Sequence, residues 1–332
     1  MEYVRLGYSG LEVSTLGLGT WATIGEGVQD STAATILDAA YDAGINFFDT
    51  AETYGDGVGE EAFGRLLAKS GWSRETFVVS TKLYWGTHGK RPNTWGLGRK
   101  HLLSGSHASL RRLGLDHLDL LVCHRFDDKV PLEETVGAIA HLIARGDVLH
   151  WGTSGWSVDQ IQAANKIAAE VSAPSPIAEQ VQYNLLYRDT VEQELSPLHD
   201  NGVGLVGWSP LAYGFLSGRY SRDLSESGRL SRPGFDWLHE WIAKDDIGEA
   251  VAIVAGLRTA ADELGFTVAQ VALAWAASGP NISSTLLGCS TTDQLAQNLA
   301  ALELVSSSRP WRRIVDEAVQ HELRTRSGVH DE

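Results

Sequence analysis

Four polar residues each stand where an apolar run stops. Asp49 closes Ile45-Asn46-Phe47-Phe48 and Tyr54 follows five residues later; Lys82 closes Phe77-Val78-Val79-Ser80-Thr81; His124 closes Leu118-Asp119-Leu120-Leu121-Val122-Cys123. Short apolar runs of this kind read as buried parallel strands. If those strands close into one barrel, polar residues at their C-terminal ends meet in one mouth. A phenol is a poor acid near neutral pH, with an unperturbed pKa of about 10. An ammonium within hydrogen-bond reach favours the phenolate and so lowers that value, and a carboxylate keeps the ammonium in place and charged. The imidazole can donate or accept a hydrogen bond to a substrate carbonyl oxygen and orient it for protonation by Tyr54. The set suits carbonyl reduction, with proton and hydride arriving from opposite partners. Each residue alone has a plainer reading: Asp49 as a loop cap, Lys82 as a solvated strand end, His124 as a core histidine. Their placement at consecutive strand ends favours the chemistry.

The elements that must position these groups alternate regularly. Strands are expected at 15–19, 45–49, 77–82, 118–124, 148–154, 177–182, 203–208 and 283–288, with helical patterns at 31–43, 60–69, 99–113, 132–145, 157–170, 191–199, 247–264 and 293–304. Helical faces show in spacings such as Leu132, Val136, Ile139 and Ile143, and several helices stop at Gly-containing turns such as Ala43-Gly44 and Arg145-Gly146. The alternation gives an α/β fold, a (β/α)₈ TIM barrel forming a single domain over 1–332. Three stretches stand outside the repeat. Residues 3–14 read as an N-terminal β-hairpin that plugs the barrel bottom, and 267–277 as an extra helix. Residues 211–246, after the seventh strand, are long, Gly/Ser/Arg-rich and weakly periodic, as a lid or cofactor strap would be. The polar tail from Arg324 is expected to fray.

Composition narrows the partners. The 332 residues are 43% hydrophobic and 21% charged, which supports a sizeable core, and the net charge of −15 argues against nucleic acid or an anionic membrane as partner. No leader pattern opens the chain and no apolar stretch reaches spanning length, so a cytoplasmic protein is expected. Cys123 and Cys289 each end an apolar run; buried, reduced thiols are the first reading and a disulfide the second. The histidines show no metal-ligand spacing, so no metal is expected. Gly17-Leu18-Gly19-Thr20-Trp21-Ala22 matches a dinucleotide fingerprint in letters only, since no helical pattern follows it at once.

The segment Gly44-Ile45-Asn46-Phe47-Phe48-Asp49-Thr50-Ala51-Glu52-Thr53-Tyr54 is similar to the signature of the aldo-keto reductases, as are Ser80-Thr81-Lys82, Leu113 to Leu120 and Gly152-Thr153-Ser154. Leu16 to Trp21, Arg99-Lys100-His101, Trp151 to Ser157 and Trp208 to Ala212 resemble the branch that includes the potassium-channel β subunits. The resemblance implies an NADPH-dependent barrel reductase with Tyr54 as general acid, tuned by Lys82 and Asp49, and with His124 orienting the carbonyl. It further implies Trp208 stacking on the nicotinamide, Ser154 and Gln180 on its carboxamide, and Gly19, Thr20, Trp21 and Asp49 beside it. Ser209, Pro210, Leu211, Ser217 and Arg219 would line the pyrophosphate, while Gly288, Ser290, Gln294 and Arg229 would receive the 2′-phosphate, with Gln297 and Asn298 on the adenine side. Trp21, Tyr84, Trp85, Arg125 and Trp156 would face the substrate, a small-molecule carbonyl compound. A homo-oligomer, tetrameric or octameric, goes with the resemblance. Two positions depart from the channel subunits: Gly155 stands where they carry Arg, and Gly27 stands near the place of a strap glutamine. His124, where those subunits carry an amide, favours working catalysis. Rival readings are a redox-sensing binding subunit and an enoyl reductase of nucleotide-deoxysugar pathways. The alanine-rich helices and single Met suggest a GC-rich bacterium, where secondary metabolism such as polyketide tailoring offers a setting.

Overall fold

A computed structural model of the chain describes residues 1–219 and 247–327. Contacts gather the described residues into two compact units. The first comprises Met1–Val181, Asp189–Trp208 and Pro280–Leu295; the second takes the described residues of Gln182–Arg188, Ser209–Gly279 and Ala296–Glu332.

The first unit is built on a closed, all-parallel barrel of eight strands: β3 (Leu16–Gly19), β4 (Phe47–Asp49), β5 (Val78–Leu83), β6 (Leu118–Cys123), β7 (Val148–Ser154), β8 (Ala178–Gln182), β9 (Gly204–Trp208) and β10 (Ile282–Leu287). Helices α1 (Asp30–Asp42), α2 (Val58–Ser70), α3 (Arg99–Leu113), α4 (Leu132–Arg145) and α5 (Val158–Glu170) link the strands from β3 to β8. A (β/α)₈ barrel is therefore the fold, with the expected strands shifted at their ends by a residue or two. The apolar runs are uniform because barrel strands are covered on both faces. Helix ends follow local chemistry. Gly71, Gly114 and Gly146 each cap a helix in the left-handed region, and Ser157 opens α5 with a capping box to Gln160.

The bottom of the barrel is closed by the hairpin of β1 (Tyr3–Arg5) and β2 (Glu12–Ser14). Leu6 and Val13, both fully buried, join Phe47, Val78, Leu120, Val122, Ile177, Ala178, Val206 and Leu286 in one core cluster. Burying a side chain of that size contributes about 1.5–3 kcal/mol. Gly7 makes the close approach possible: its φ is +57°, and a Cβ there would stand 2.3 Å from the Ile177 carbonyl oxygen. With one end filled, the opposite end, where the four polar residues stand, is the open mouth.

The segment expected as one helix at 191–199 is instead a π-helical turn, Thr190–Glu194, followed by a 3₁₀ turn, Ser196–Leu198. Pro197 explains the break, since it has no N–H and its ring clashes with the preceding turn. In the second unit, α6 (Ile247–Leu264) and α7 (Val268–Ala277) match the expected helices closely. The expected helix at 293–304 divides into α8 (Thr292–Leu299), whose first residues belong to the first unit, and α9 (Ala301–Val305). Of the tail expected to fray from Arg324, residues 324–327 end a further helix, α10 (Trp311–Ser327), which packs on α6 and buries Trp311, Val315 and Val319, and 328–332 lie outside the described residues. Gly256 lets the two backbones touch; a Cβ there would meet the Val319 Cα at 2.6 Å. Most of the expected strap, with Arg229 in it, lies outside the described residues. No helix among the described residues is long and apolar enough to cross a membrane.

Candidate active site

Strand register brings the tetrad together. Asp49 pairs with Ser80, Ser80 with Leu120 and Lys82 with Val122 across the parallel ladders, so the ends of β4, β5 and β6 lie side by side. Alternation along β5 turns Ser80 and Lys82 to the same face. Tyr54 arrives on a tight turn after β4, in which Gly55, Asp56 and Gly57 all take positive φ. Gly59, at the start of α2, packs closely on Tyr54: a Cβ there would sit 3.1 Å from the Tyr54 Cβ and press on the residue by a few tenths of an ångström.

Lys82 is fully buried and spends its ammonium on three acceptors: Asp49 Oδ2 at 2.5 Å, the Thr50 carbonyl at 2.8 Å and the Tyr54 hydroxyl oxygen at 3.0 Å. Asp49 Oδ1 accepts from Ser80 Oγ at 2.6 Å and from Gln180 Nε2 at 3.0 Å. Burial opposes the Lys82 charge, but the Asp49 carboxylate and the Tyr54 oxygen outweigh it and hold its pKa above the ordinary lysine value. The phenol moves the other way from the sequence expectation. Tyr54 keeps part of its surface exposed, yet loss of water around it raises its pKa above 10, and the pull of Lys82 does not cancel that. Tyr54 is therefore a neutral phenol that holds its proton. The ammonium beside it is poised to stabilise the anion once the proton leaves.

His124 stands edge-on to Tyr54, with ring centroids 6.4 Å apart. Burial, followed by the charges of Lys82 and Arg125, pushes its pKa well below 6.5, so the imidazole is neutral. Its Nδ1 is buried with no partner among the described residues. Trp85 lies 4.5 Å from the His124 ring, and the Arg125 guanidinium lies over Trp85 at 5.3 Å. Tyr84 packs edge-on against Trp85 and Trp95, whereas Trp156, 2% exposed, is taken up by packing on Phe126.

Two buried carboxylates hold the loops around this mouth. Glu52 Oε1 accepts from the Tyr84 and Gly86 N–H groups, both at 2.8 Å, and lies 3.1 Å from His101 Nε2, fixing the loop that carries Trp85. Glu179 accepts from Thr153 Oγ1 at 2.6 Å and from the Gly155 and Trp156 N–H groups, fixing the loop after β7; burial nevertheless raises its carboxyl to about 8. Sequence reasoning missed Ser80, Glu52, His101 and Glu179. A charge inside the apolar strand Ala178-Glu179-Gln180-Val181 is the signal that could have found Glu179, since a buried carboxylate needs donors.

Other expected contact residues of the first unit also lie at strand ends. Gly19 and Trp208 end β3 and β9, and Trp21 lies just past β3. Thr20 is bound to the Asp49 loop through its N–H to the Asp49 carbonyl and its hydroxyl to Thr50. Ser154 and Gln180 are direct register partners on β7 and β8. Gly288 follows β10. Ser290 donates its N–H and hydroxyl to Gln294 Oε1 at the turn that opens α8. Within the second unit, Ser209 accepts from Asn184 Nδ2 and Tyr213 N–H, Pro210 and Leu211 follow it, Ser217 donates to the Gly214 carbonyl, and Arg219 is exposed. The Gln297 carbonyl accepts from Gln270, and Asn298 is buried. Both cysteines are free and buried; burial raises each thiol, Cys289 to about 12, so neither is a ready nucleophile. Among the described residues no group of His, Cys, Asp or Glu is placed to hold a metal.

A parallel eight-stranded barrel with a buried Asp–Lys pair under a partly exposed tyrosine at its C-terminal mouth defines a barrel oxidoreductase site. The family model for the aldo/keto reductase family matches residues 15–318, and the chain belongs to that family. A relative named "probable voltage-gated potassium channel subunit beta", from Arabidopsis thaliana, is 43% identical over 312 residues, covering 93% of this chain and 94% of the relative. The chain thus falls with oxidoreductases that act on carbonyl compounds, and on the side of the family that includes channel β subunits.

Proposed function

We propose that the protein reduces an aldehyde or ketone to an alcohol with NADPH. The carrying observation is the Lys82 ammonium held between Asp49 and the Tyr54 hydroxyl, beside a neutral His124. The neutral imidazole orients the carbonyl oxygen, Tyr54 gives that oxygen its proton, and the phenolate left behind is stabilised by the adjacent ammonium. Asp49 keeps Lys82 charged through the cycle. The mouth suits the cofactor's amide: the Ser154 hydroxyl proton and Gln180 Oε1 have no partner among the described residues and stand on register-paired residues. When bound, NADPH supplies the hydride. Trp208 would flank the ring, with Gly19, Thr20 and Trp21 beside it, and Arg229, Ser290 and Gln294 would read the 2′-phosphate. Tyr84, Trp85 and Arg125 are the substrate-side residues of this reading. A homo-oligomer and a role in secondary metabolism complete the proposal.

The test is NADPH consumption with a panel of aldehydes, ketones, nucleotide-linked keto-sugars and activated alkenes. Turnover of at least one carbonyl compound is expected; turnover confined to alkenes would reassign the protein to enoyl reduction. A protein that binds NADPH tightly yet turns over none would support the second reading, a non-catalytic binding subunit, in keeping with the Arabidopsis relative's printed name as a channel subunit. A preference for NADH would remove the 2′-phosphate assignment. The pH profile gives an independent check. Because His124 is held neutral and Tyr54 protonated, kcat at saturating substrate and cofactor should show no inflection near 6.5, and should fall only on the alkaline side as the phenol ionises. An acid limb with a midpoint between 6 and 7, roughly the ordinary histidine range, would contradict the neutral imidazole.

A further inference from the structure

One wall of the mouth is aromatic and carries cations. From Thr76 to Leu115 the chain contains no Asp or Glu, in a protein whose net charge is −15. Lys82 and Arg112 of that stretch are paired with buried carboxylates, Asp49 and Glu60. Lys90, on the loop after β5, is not: its ammonium lies 5.6 Å from the centre of the Trp95 ring. Lys129, on the loop after β6, stands 5.7 Å from the same centre. Both lysines are exposed, and neither has a carboxylate partner among the described residues. Asp127 builds this arrangement. Its carboxylate, 7% exposed, accepts from the Leu97 N–H at 2.9 Å and the Lys129 N–H at 3.1 Å, tying the two loops together. Gly96 admits that carboxylate, since a Cβ there would stand 2.5 Å from Asp127 Oδ2. Asp128, beside it, is exposed and is the other acid of this segment.

From Trp95 the rings lead inward. Trp95 packs edge-on to Tyr84 at 6.1 Å, Tyr84 to Trp85 at 5.4 Å, and Trp85 lies 4.5 Å from the His124 ring. Arg125 sits over Trp85 at 5.3 Å, and its charge is felt at both His124 and Tyr54, where it favours the less protonated form. An anion is repelled by the protein's overall charge and drawn in only where cations gather. Two ammoniums over one ring also repel each other, and an anion beside them relieves that repulsion.

We infer that the carbonyl substrate carries an anionic group, a carboxylate or a phosphate, which Arg125, Lys90 and Lys129 receive along the Trp85–Trp95 wall while its carbonyl lies at Tyr54 and His124. The inference rests on the reductase reading above and names the substrate class of that site. A flat, unsaturated body between the two ends suits the rings.

The experiment compares kcat/KM, with NADPH, for aldehydes matched in size and ring electronics. One arm sets 4-carboxybenzaldehyde against its methyl ester, the other 4-formylphenyl phosphate against 4-methoxybenzaldehyde. In at least one arm the anion should be favoured roughly fivefold to tenfold at low salt, mainly through KM, as two or three partly exposed ion pairs give. A preference in one arm alone identifies the group as carboxylate or phosphate. The preference should shrink between 0.1 M and 1 M salt, as the screening length falls from about 10 Å to about 3 Å. Lys90→Gln combined with Lys129→Gln should cut the ratio to about twofold, and Arg125→Met should do likewise. A merely structural loss moves anion and neutral partner together, so the ratio is the readout. Ratios near one in both arms, or a ratio undiminished in both variants, overturn the inference while leaving the reductase reading in place. Absence of turnover in both arms also overturns it, and the wider substrate panel then decides the reductase reading alone.

Discussion

Tyr54→Phe is expected to lower kcat for carbonyl reduction by about 10²–10⁴-fold, the usual contribution of a positioned general acid, while NADPH still binds with near wild-type affinity. The substitution removes one oxygen and leaves the ring where it is, edge-on to His124 and held by the turn of Gly55, Asp56 and Gly57. Lys82 keeps two of its three acceptors, Asp49 and the Thr50 carbonyl, so the buried ion pair survives. Water reaching the mouth is a far weaker acid than a phenol next to an ammonium, and the residual rate measures how well it substitutes. Steady-state turnover, run alongside a cofactor titration, separates loss of chemistry from loss of binding. A fall of less than threefold would show that some other group supplies the proton.

Legibility in the sequence followed locality. Lys82 and His124 could be picked out because a lone polar residue at the end of a buried strand has few structural uses, and the strand–helix alternation needs only local periodicity. Gln180 entered only through the resemblance, as a residue on the nicotinamide carboxamide, and its tie to Asp49 was not foreseen. The two are 131 residues apart, and only barrel closure brings them together. Ser80 was hidden for a different reason: serine is unremarkable in a strand, and its hold on Asp49 follows from sharing a face with Lys82. The direction of the Tyr54 shift was misjudged because sequence names its charged neighbour but not the water it loses. Helix α10 has no counterpart among the expected elements, since its buried stripe, Trp311, Val315 and Val319, is diluted by arginines and glutamates on the outer faces. Pro197 was in plain view and still overlooked within an otherwise helical pattern.

Lys82→Met should cost both stability and rate, and the two losses have different origins. The ammonium is fully buried and is the only cation paired with Asp49 among the described residues; without it, that carboxylate keeps just the Ser80 and Gln180 donors. Breaking a buried ion pair from one side costs about 3–5 kcal/mol, mostly the penalty of the stranded charge. Thermal unfolding should register this as a midpoint lowered by roughly 5 °C, at about 1.4 °C per kcal/mol for a chain of 332 residues. Sign follows from the raised Lys82 pKa: its contribution is complete below the unfolded lysine value of about 10.4 and is lost only as pH rises through the folded one. The destabilisation is therefore expected undiminished at neutral pH. Turnover falls because the phenolate of Tyr54 loses the charge that stabilises it, a loss that folding cannot restore. Adding Asp49→Asn to Lys82→Met separates the two effects. The double variant strands no charge and should recover much of the midpoint, whereas its kcat should stay as low as that of the single variant. A Lys82→Met protein that melts with the wild type would mean that water or another cation reaches Asp49, and the account of Lys82 as the buried partner of that carboxylate would fail.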